Sequence, residues 1–77
     1  MSDVKSVDLA TTAEELMQLG LKSCLGSDRV EAHKWFNIAA MMGSETARNY
    51  RSDVAAEMEL SEIAEAQRRA RQVLTLH

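Results

Sequence analysis

The single tryptophan and the single phenylalanine of this chain are neighbours, Trp35 and Phe36, and they stand among small residues. Ala32, Ala39 and Ala40 lie about one helical turn before and after the two rings, so all five side chains share one broad face of a helix. Small residues let a second helix approach closely, while the rings fill the space between the two backbones. The pattern therefore predicts a packing seam between helices.

The composition favours helix in the rest of the chain as well. Proline is absent from the 77 residues and 45% of them are apolar, while the three commonest types, Ala, Glu and Leu, are good helix formers. A chain of this length buries only about 60% of the surface that it exposes when unfolded, which leaves little room for a large enzyme cleft. We expect one all-α domain without catalytic activity.

Start and stop signals divide the chain into four short helices. The starts are side chains that can cap a first turn, namely Thr11, Thr12, Asp28 and Ser44. The stops are Gly26-Ser27 and Gly43. We expect the helices to begin near residues 12, 29, 45 and 61, with the third reaching about residue 58, and to form two antiparallel hairpins. None is long enough to be stable alone, so tertiary packing must supply the order.

The segment from Leu19 to Ala47 resembles a Sel1-like repeat, a relative of the tetratricopeptide repeat built from two antiparallel helices. Leu19-Gly20 followed by Gly26 is similar to the family's "LGxxYxxG" first helix, and "DRVEAHKWFNIAAMMGSETA" is similar to its "DxxKAxxWxxxAAxxGxxxA" second half. The loop from 26 to 28 is shorter than usual, which predicts a tight turn. The matching positions are Leu19, Gly20, Gly26, Asp28, Ala32, Trp35, Ala39, Ala40, Gly43 and Ala47.

The remaining segment, "RNYRSDVAAEMELSEIAEAQRRARQVL", is similar to the closing segment after the last repeat of many bacterial Sel1-like proteins. The resemblance implies an α-solenoid fragment, in which residues 11–43 form a repeat hairpin and residues 44–77 form a capping hairpin. Residues 1–10 show no strong periodicity, and we expect them to be a partly mobile lead-in.

The small number of repeats in the chain suggests a function. Solenoid units bury their faces against neighbours and usually need about three repeats for stability, so one repeat with a cap predicts self-association or a bound partner. The expected function is that of an adaptor or scaffold that binds a partner helix or peptide. Alternatives are a permanent small subunit of a larger assembly and a nucleic-acid-associated regulator.

Apolar side chains that lie away from the seam are the candidate partner contacts. On the first two helices these are Leu21, Leu25, Ile38 and Met41, each of which could instead belong to a wide core. Tyr50 is a further candidate, because its ring can lie in the seam while its hydroxyl stays at the edge.

Charge disfavours nucleic acid and anionic lipid as partners, because 12 acidic residues outnumber 9 basic ones and the net charge is −3. Arg68, Arg69 and Arg71 form one local basic cluster that could contact phosphates. Glu62 and Glu65 lie within helical pairing distance of these arginines. A solvated, salt-bridged helix surface is therefore the favoured interpretation of the cluster.

The residues offer little for metal, cofactor or nucleophilic chemistry. Cys24 and His33 fall on different predicted helices, and no second Cys or His stands at ligand spacing from either. We expect no cofactor, no metal and no small-molecule substrate. The N-terminal residues carry no basic leader, and no stretch approaches the roughly 20 apolar residues that span a bilayer. These features predict a cytoplasmic location without membrane insertion.

Overall fold

The computed structural model describes residues 11–75, and over that range the chain is helical without strands. The four helices are α1 (Ala13–Leu25), α2 (Arg29–Met41), α3 (Glu45–Ala55) and α4 (Leu60–Thr75). The predicted all-α class is thus confirmed, while the lead-in predicted for residues 1–10 lies outside the described residues. No helix in the described range is long and apolar enough to cross a membrane.

The predicted caps begin the first three helices. Thr12, the second of the two overlapping candidates, forms a complete capping box with Glu15, whose backbone N lies 3.1 Å from the Thr12 hydroxyl. Asp28 accepts a hydrogen bond from the backbone N of Glu31 at 3.1 Å and so caps α2. Ser44 caps α3 in the same way. Each cap satisfies one of the amide groups that a first turn leaves unpaired.

The third helix is shorter than predicted, because α3 ends at Ala55 and not near Met58. A turn follows it, in which the backbone N of Met58 donates to the Ala55 carbonyl at 3.0 Å. The Glu62 carboxylate then accepts from the backbone N of Glu59 at 2.8 Å. This carboxylate satisfies an amide at the start of α4 and lets that helix begin at Leu60.

The α1–α2 connection is a tight three-residue turn, as the short loop predicted. The backbone N of Ser27 donates to the Cys24 carbonyl at 3.0 Å, and that of Asp28 donates to the Ser23 carbonyl at 2.9 Å. Ser27 has a φ of 62°, so the turn is a Schellman motif with serine in the left-handed position. Asp28 therefore closes α1 and caps α2 at once.

The α2–α3 connection repeats this design with glycine in the left-handed position. The backbone N of Gly43 donates to the Ala40 carbonyl at 3.0 Å, and that of Ser44 donates to the Ala39 carbonyl at 3.2 Å. Gly43 has a φ of 105°, which a residue without Cβ adopts at no steric cost. Ser44 has the double role that Asp28 has in the first turn.

The second helix is the centre of the molecule. It packs against α1, α3 and α4, and these three contact one another much less than they contact α2. The buried side chains of α2 include Trp35 and Phe36, together with the alanines that flank them. The predicted packing seam is thus confirmed. The helices α3 and α4 are held together mainly through α2. Three further residues of α2, His33, Lys34 and Ile38, are also buried, although the predicted seam did not include them.

The Phe36 ring explains why residue 20 is glycine. A Cβ built on Gly20 would lie only 2.5 Å from Cε1 and 2.7 Å from Cδ1 of this ring. The ring is fully buried and also stacks on Tyr50 of α3, with 5.3 Å between the ring centroids. One side chain of α2 therefore contacts both neighbouring helices.

Candidate interaction surface

The five predicted partner contacts differ widely in exposure. Leu25 is 88% exposed and Met41 is 63% exposed, while Leu21 is half-buried. Tyr50 remains exposed although its ring stacks on Phe36. Ile38 is only 1% exposed and belongs to the core. Its prediction as a contact residue was wrong, because α2 has neighbours on several sides and buries a wider arc than one seam requires.

The exposed candidates do not form one continuous surface. The helices α1 and α2 pack together and are joined by a three-residue turn, so they run antiparallel. Leu25 ends α1 beside the start of α2, whereas Met41 ends α2, about 20 Å further along at 1.5 Å per residue. The two side chains thus lie at opposite ends of this helix pair.

One end of the molecule collects the two most exposed leucines. Arg29 at the start of α2 lies 3.6 Å from Glu57 in the turn before α4, so the α1–α2 and α3–α4 turns lie at the same end. Leu25 precedes the first of these turns, and Leu60, which is 84% exposed, follows the second. We call this end of the molecule, which is marked by Leu25 and Leu60, the leucine end. Leu21, one turn before Leu25 on α1, continues it along the helix.

Leu60 was not among the predicted partner contacts, and helix periodicity gave no sign of its exposure. It stands three residues before Ile63 and so lies beside the stripe of α4 that includes the fully buried Ala66 and Ala70. In the structure Leu60 is the first residue of α4 and is exposed at the end of that helix. Met42, beside Met41, is 50% exposed as well.

An ion-pair network covers the surface between α2 and α4. Glu31 accepts from Lys34 at 2.8 Å and from Arg69 at 2.7 Å, so it joins the two helices. Burial raises the pKa of Glu31, but the hydrogen bonds from Lys34 and Arg69 outweigh it and lower this pKa below its ordinary value. Lys34 is itself buried, and its ammonium lies 4.0 Å from the centroid of the Trp35 ring. Glu31 is thus a structural carboxylate.

The basic cluster is largely neutralised by the same network. Arg68 donates to Glu65 at 3.0 Å, and Arg69 donates to Glu65 at 2.8 Å as well as to Glu31. The hydrogen bonds from Arg68 and Arg69 lower the pKa of Glu65 to about 2. Arg71 makes no ion pair within residues 11–75. The salt-bridged interpretation is therefore confirmed for Arg68 and Arg69, with Glu65 as the partner, while Glu62 caps α4.

Cys24 has the surroundings of an inert thiol. It is exposed and not disulfide-bonded, and burial together with the Glu57 carboxylate raises its pKa. Such a shift keeps the thiol protonated at neutral pH, which opposes nucleophilic chemistry and metal binding. Over the described part of the chain, no three His, Cys, Asp or Glu side chains come together as a metal site.

Comparisons with family models, curated proteins and solved structures found no match to this chain. The resemblance to Sel1-like repeats therefore rests on the residue spacing alone and stays a prediction.

Proposed function

We propose that this chain is a non-enzymatic interaction module of the cytoplasm that binds a partner helix or peptide through exposed apolar side chains. The observation that carries the proposal is the leucine end. Leu25 and Leu60 are 88% and 84% exposed, although Leu25 ends α1 and Leu60 begins α4, two helices that pack on α2. Exposed apolar clusters with a polar rim are typical of protein-binding surfaces.

The immediate surroundings of the leucine end support a protein partner. Arg29 and Glu57 form an exposed ion pair there, and such rim charges orient a partner more than they add affinity. An amphipathic helix could lay its apolar stripe across the two leucines and Leu21. Met41 and Met42, at the other end of α2, form a second apolar surface with adaptable side chains.

The test compares the two surfaces in a quantitative co-purification from the native source. The double variant Leu25→Glu/Leu60→Glu should lose the partner, whereas Met41→Glu/Met42→Glu should retain it. Gln67→Glu is the matched control, because it adds a negative charge at an exposed polar position of α4. Helix content should stay unchanged in each variant, since substitutions at exposed positions usually change stability by no more than about 0.5 kcal/mol.

Equal recovery of every partner by the wild type and all three variants would contradict the proposal. Loss only in the methionine variant would move the binding surface to the other end of α2. Light scattering of the purified chain separates a partner from self-association, because a second copy bound at the leucine end would double the mass of the wild type but not of the leucine variant.

A further inference from the structure

The contact between α2 and α3 is weakly anchored by apolar burial. Ala47 is the one fully buried side chain of α3. The other links are the stack of Tyr50 on Phe36 and a hydrogen bond of 2.6 Å from Arg51 to the Asn37 side chain. A short helix held by few buried contacts is the kind of element that opens locally at low free-energy cost.

A buried histidine lies in this contact. His33 precedes Asn37 by one helical turn, so both lie on the α2 face that meets Arg51. His33 is only 3% exposed, and its Nδ1 atom is buried without a hydrogen-bond partner. Burial and the positive charge of Arg51 lower the pKa of His33. The contact is therefore built around a neutral imidazole.

Within residues 11–75, no carboxylate forms an ion pair with His33. The positive charge of a protonated His33 would therefore have no negative partner there. On α3, Arg51 is the charge that acts on His33. The carboxylates of the surrounding helices are paired elsewhere or exposed. Glu31 pairs with Lys34 and Arg69, Glu45 with Arg48, Glu57 with Arg29, and Glu65 with Arg68 and Arg69. Glu62 accepts from the backbone N of Glu59, and Asp53, Glu14 and Glu15 are exposed. The titratable groups in the last turn of α1 are the exposed Lys22 and Cys24.

We propose that the α2–α3 contact is an acid-sensitive joint, in which protonation of His33 puts a second cation beside Arg51 and releases α3 from α2. The buried imidazolium would lack a counter-charge and would repel the guanidinium, whereas release returns both groups to water. Release would also expose the apolar face of Phe36 that Tyr50 covers. This inference does not depend on the proposed function.

The direction of the pH effect follows from proton linkage. With α3 released, His33 titrates near the ordinary histidine pKa of about 6.5, whereas in the closed joint its pKa is lower. The released state therefore binds more protons, and acid favours it. The closed joint is fully stable above about pH 6.5 and weakens by up to about tenfold per pH unit below it, until His33 protonates in the closed state too.

Hydrogen exchange measured by mass spectrometry tests the joint. Protection of the α3 and α1 amides is compared at about pH 7.5 and about pH 5.5, on either side of the ordinary histidine pKa, after correction for the intrinsic exchange rate. The wild type should lose several-fold protection in α3 on acidification, with a smaller change in α1. Equal protection at both pH values, or an equal loss in both helices, would overturn the joint.

Variants connect the effect to His33. In His33→Gln, α3 should show the same protection at both pH values, and an acid loss equal to that of the wild type would overturn the proposal. If this variant fails to fold, Arg51→Gln gives the decision, because removing the neighbouring cation should reduce the acid loss. Arg48→Gln, which removes an exposed α3 arginine whose ion pair within residues 11–75 is with Glu45, should retain the wild-type response.

Discussion

At the scale of single residues, this fold depends on how one ring is accommodated. Phe36 is fully buried, touches the backbone of α1 at Gly20 and stacks on Tyr50 of α3. The glycine is therefore required by close approach and not by backbone conformation, because it lies inside a helix where alanine would be the better helix former.

Gly20→Ala should lower the free energy of unfolding, because the new methyl group would overlap the Phe36 ring. Overpacking costs about 1–3 kcal/mol, and alanine returns only about 1 kcal/mol of helix propensity. Denaturant titration followed by circular dichroism measures the difference. Gly26→Ala is the matched control: its Cβ would meet only backbone oxygens at 3.7 and 3.8 Å, so a loss equal to that of Gly20→Ala would contradict the steric explanation.

The stability of the fold also depends on the negative charge of Glu31. Glu31→Gln should destabilise the fold at neutral pH by about 1–3 kcal/mol, because Lys34 and Arg69 lose a charged hydrogen-bond acceptor. Since the folded-state pKa of Glu31 is lowered, its contribution is present above the ordinary glutamate pKa of about 4.3 and is lost in acid.

Thermal unfolding across this pH range checks the prediction. Glu65→Gln is the comparison, since Glu65 pairs with two arginines of its own helix and should matter less. A larger effect of Glu65→Gln, or a difference between Glu31→Gln and the wild type that persists unchanged in strong acid, would argue against the bridging role of Glu31.

At the scale of elements, two turns of the same design use different residues in the left-handed position. Ser27 and Gly43 both have positive φ, at 62° and 105°. A side chain in this region clashes with the following carbonyl at a cost of about 1–2 kcal/mol, from which glycine is exempt. The α1–α2 turn is therefore not at its stability optimum.

Opposite substitutions at the two turns should have opposite effects. Ser27→Gly should raise the free energy of unfolding, because it removes the backbone strain, and Gly43→Ala should lower it, because it introduces that strain. Each change should be only about 1 kcal/mol, because the greater entropy of glycine in the unfolded chain offsets part of the strain. No atom lies within 4 Å of a Cβ built on Gly43, so a loss there would report backbone strain alone. The melting temperatures of the two variants are compared with that of the wild type. A shift in the same direction for both variants would contradict the prediction.

At the scale of the whole molecule, α2 connects everything else. Each outer helix packs on it and contacts the others much less, and its buried side chains supply most of the largest members of the core. Because no outer pair forms a separate core, we expect the described part of the chain to unfold as one unit at neutral pH.

Phe36→Ala should therefore affect the entire fold. Loss of a buried phenylalanine costs about 3–5 kcal/mol, a large part of the roughly 5–15 kcal/mol that stabilises an ordinary domain. Circular dichroism and Trp35 fluorescence should show one shared transition, shifted far to lower denaturant. Met42→Ala, at a half-exposed position of the same helix, should shift it little. Separate transitions for the two probes would contradict the central role of α2.

The sequence by itself determined the local structure, because the information for helix ends is local. Thr12, Asp28 and Ser44 cap the helices that they were predicted to begin, and Gly43 ends α2. A cap acts within three or four residues of chain, so its side chain is read directly from spacing. The burial of Trp35 and Phe36 also followed from their alanine neighbours.

Tertiary structure alone decided which apolar residues are left for a partner. Ile38 and Leu25 looked equivalent on their helical wheels, yet Ile38 is buried and Leu25 is exposed, because the number of helices packed around α2 is not encoded in the periodicity of α2. The same holds for Leu60 joining Leu25 at one end and for Glu31 meeting Arg69, 38 residues away. Contacts between distant segments depend on how whole helices pack, and no local spacing specifies that.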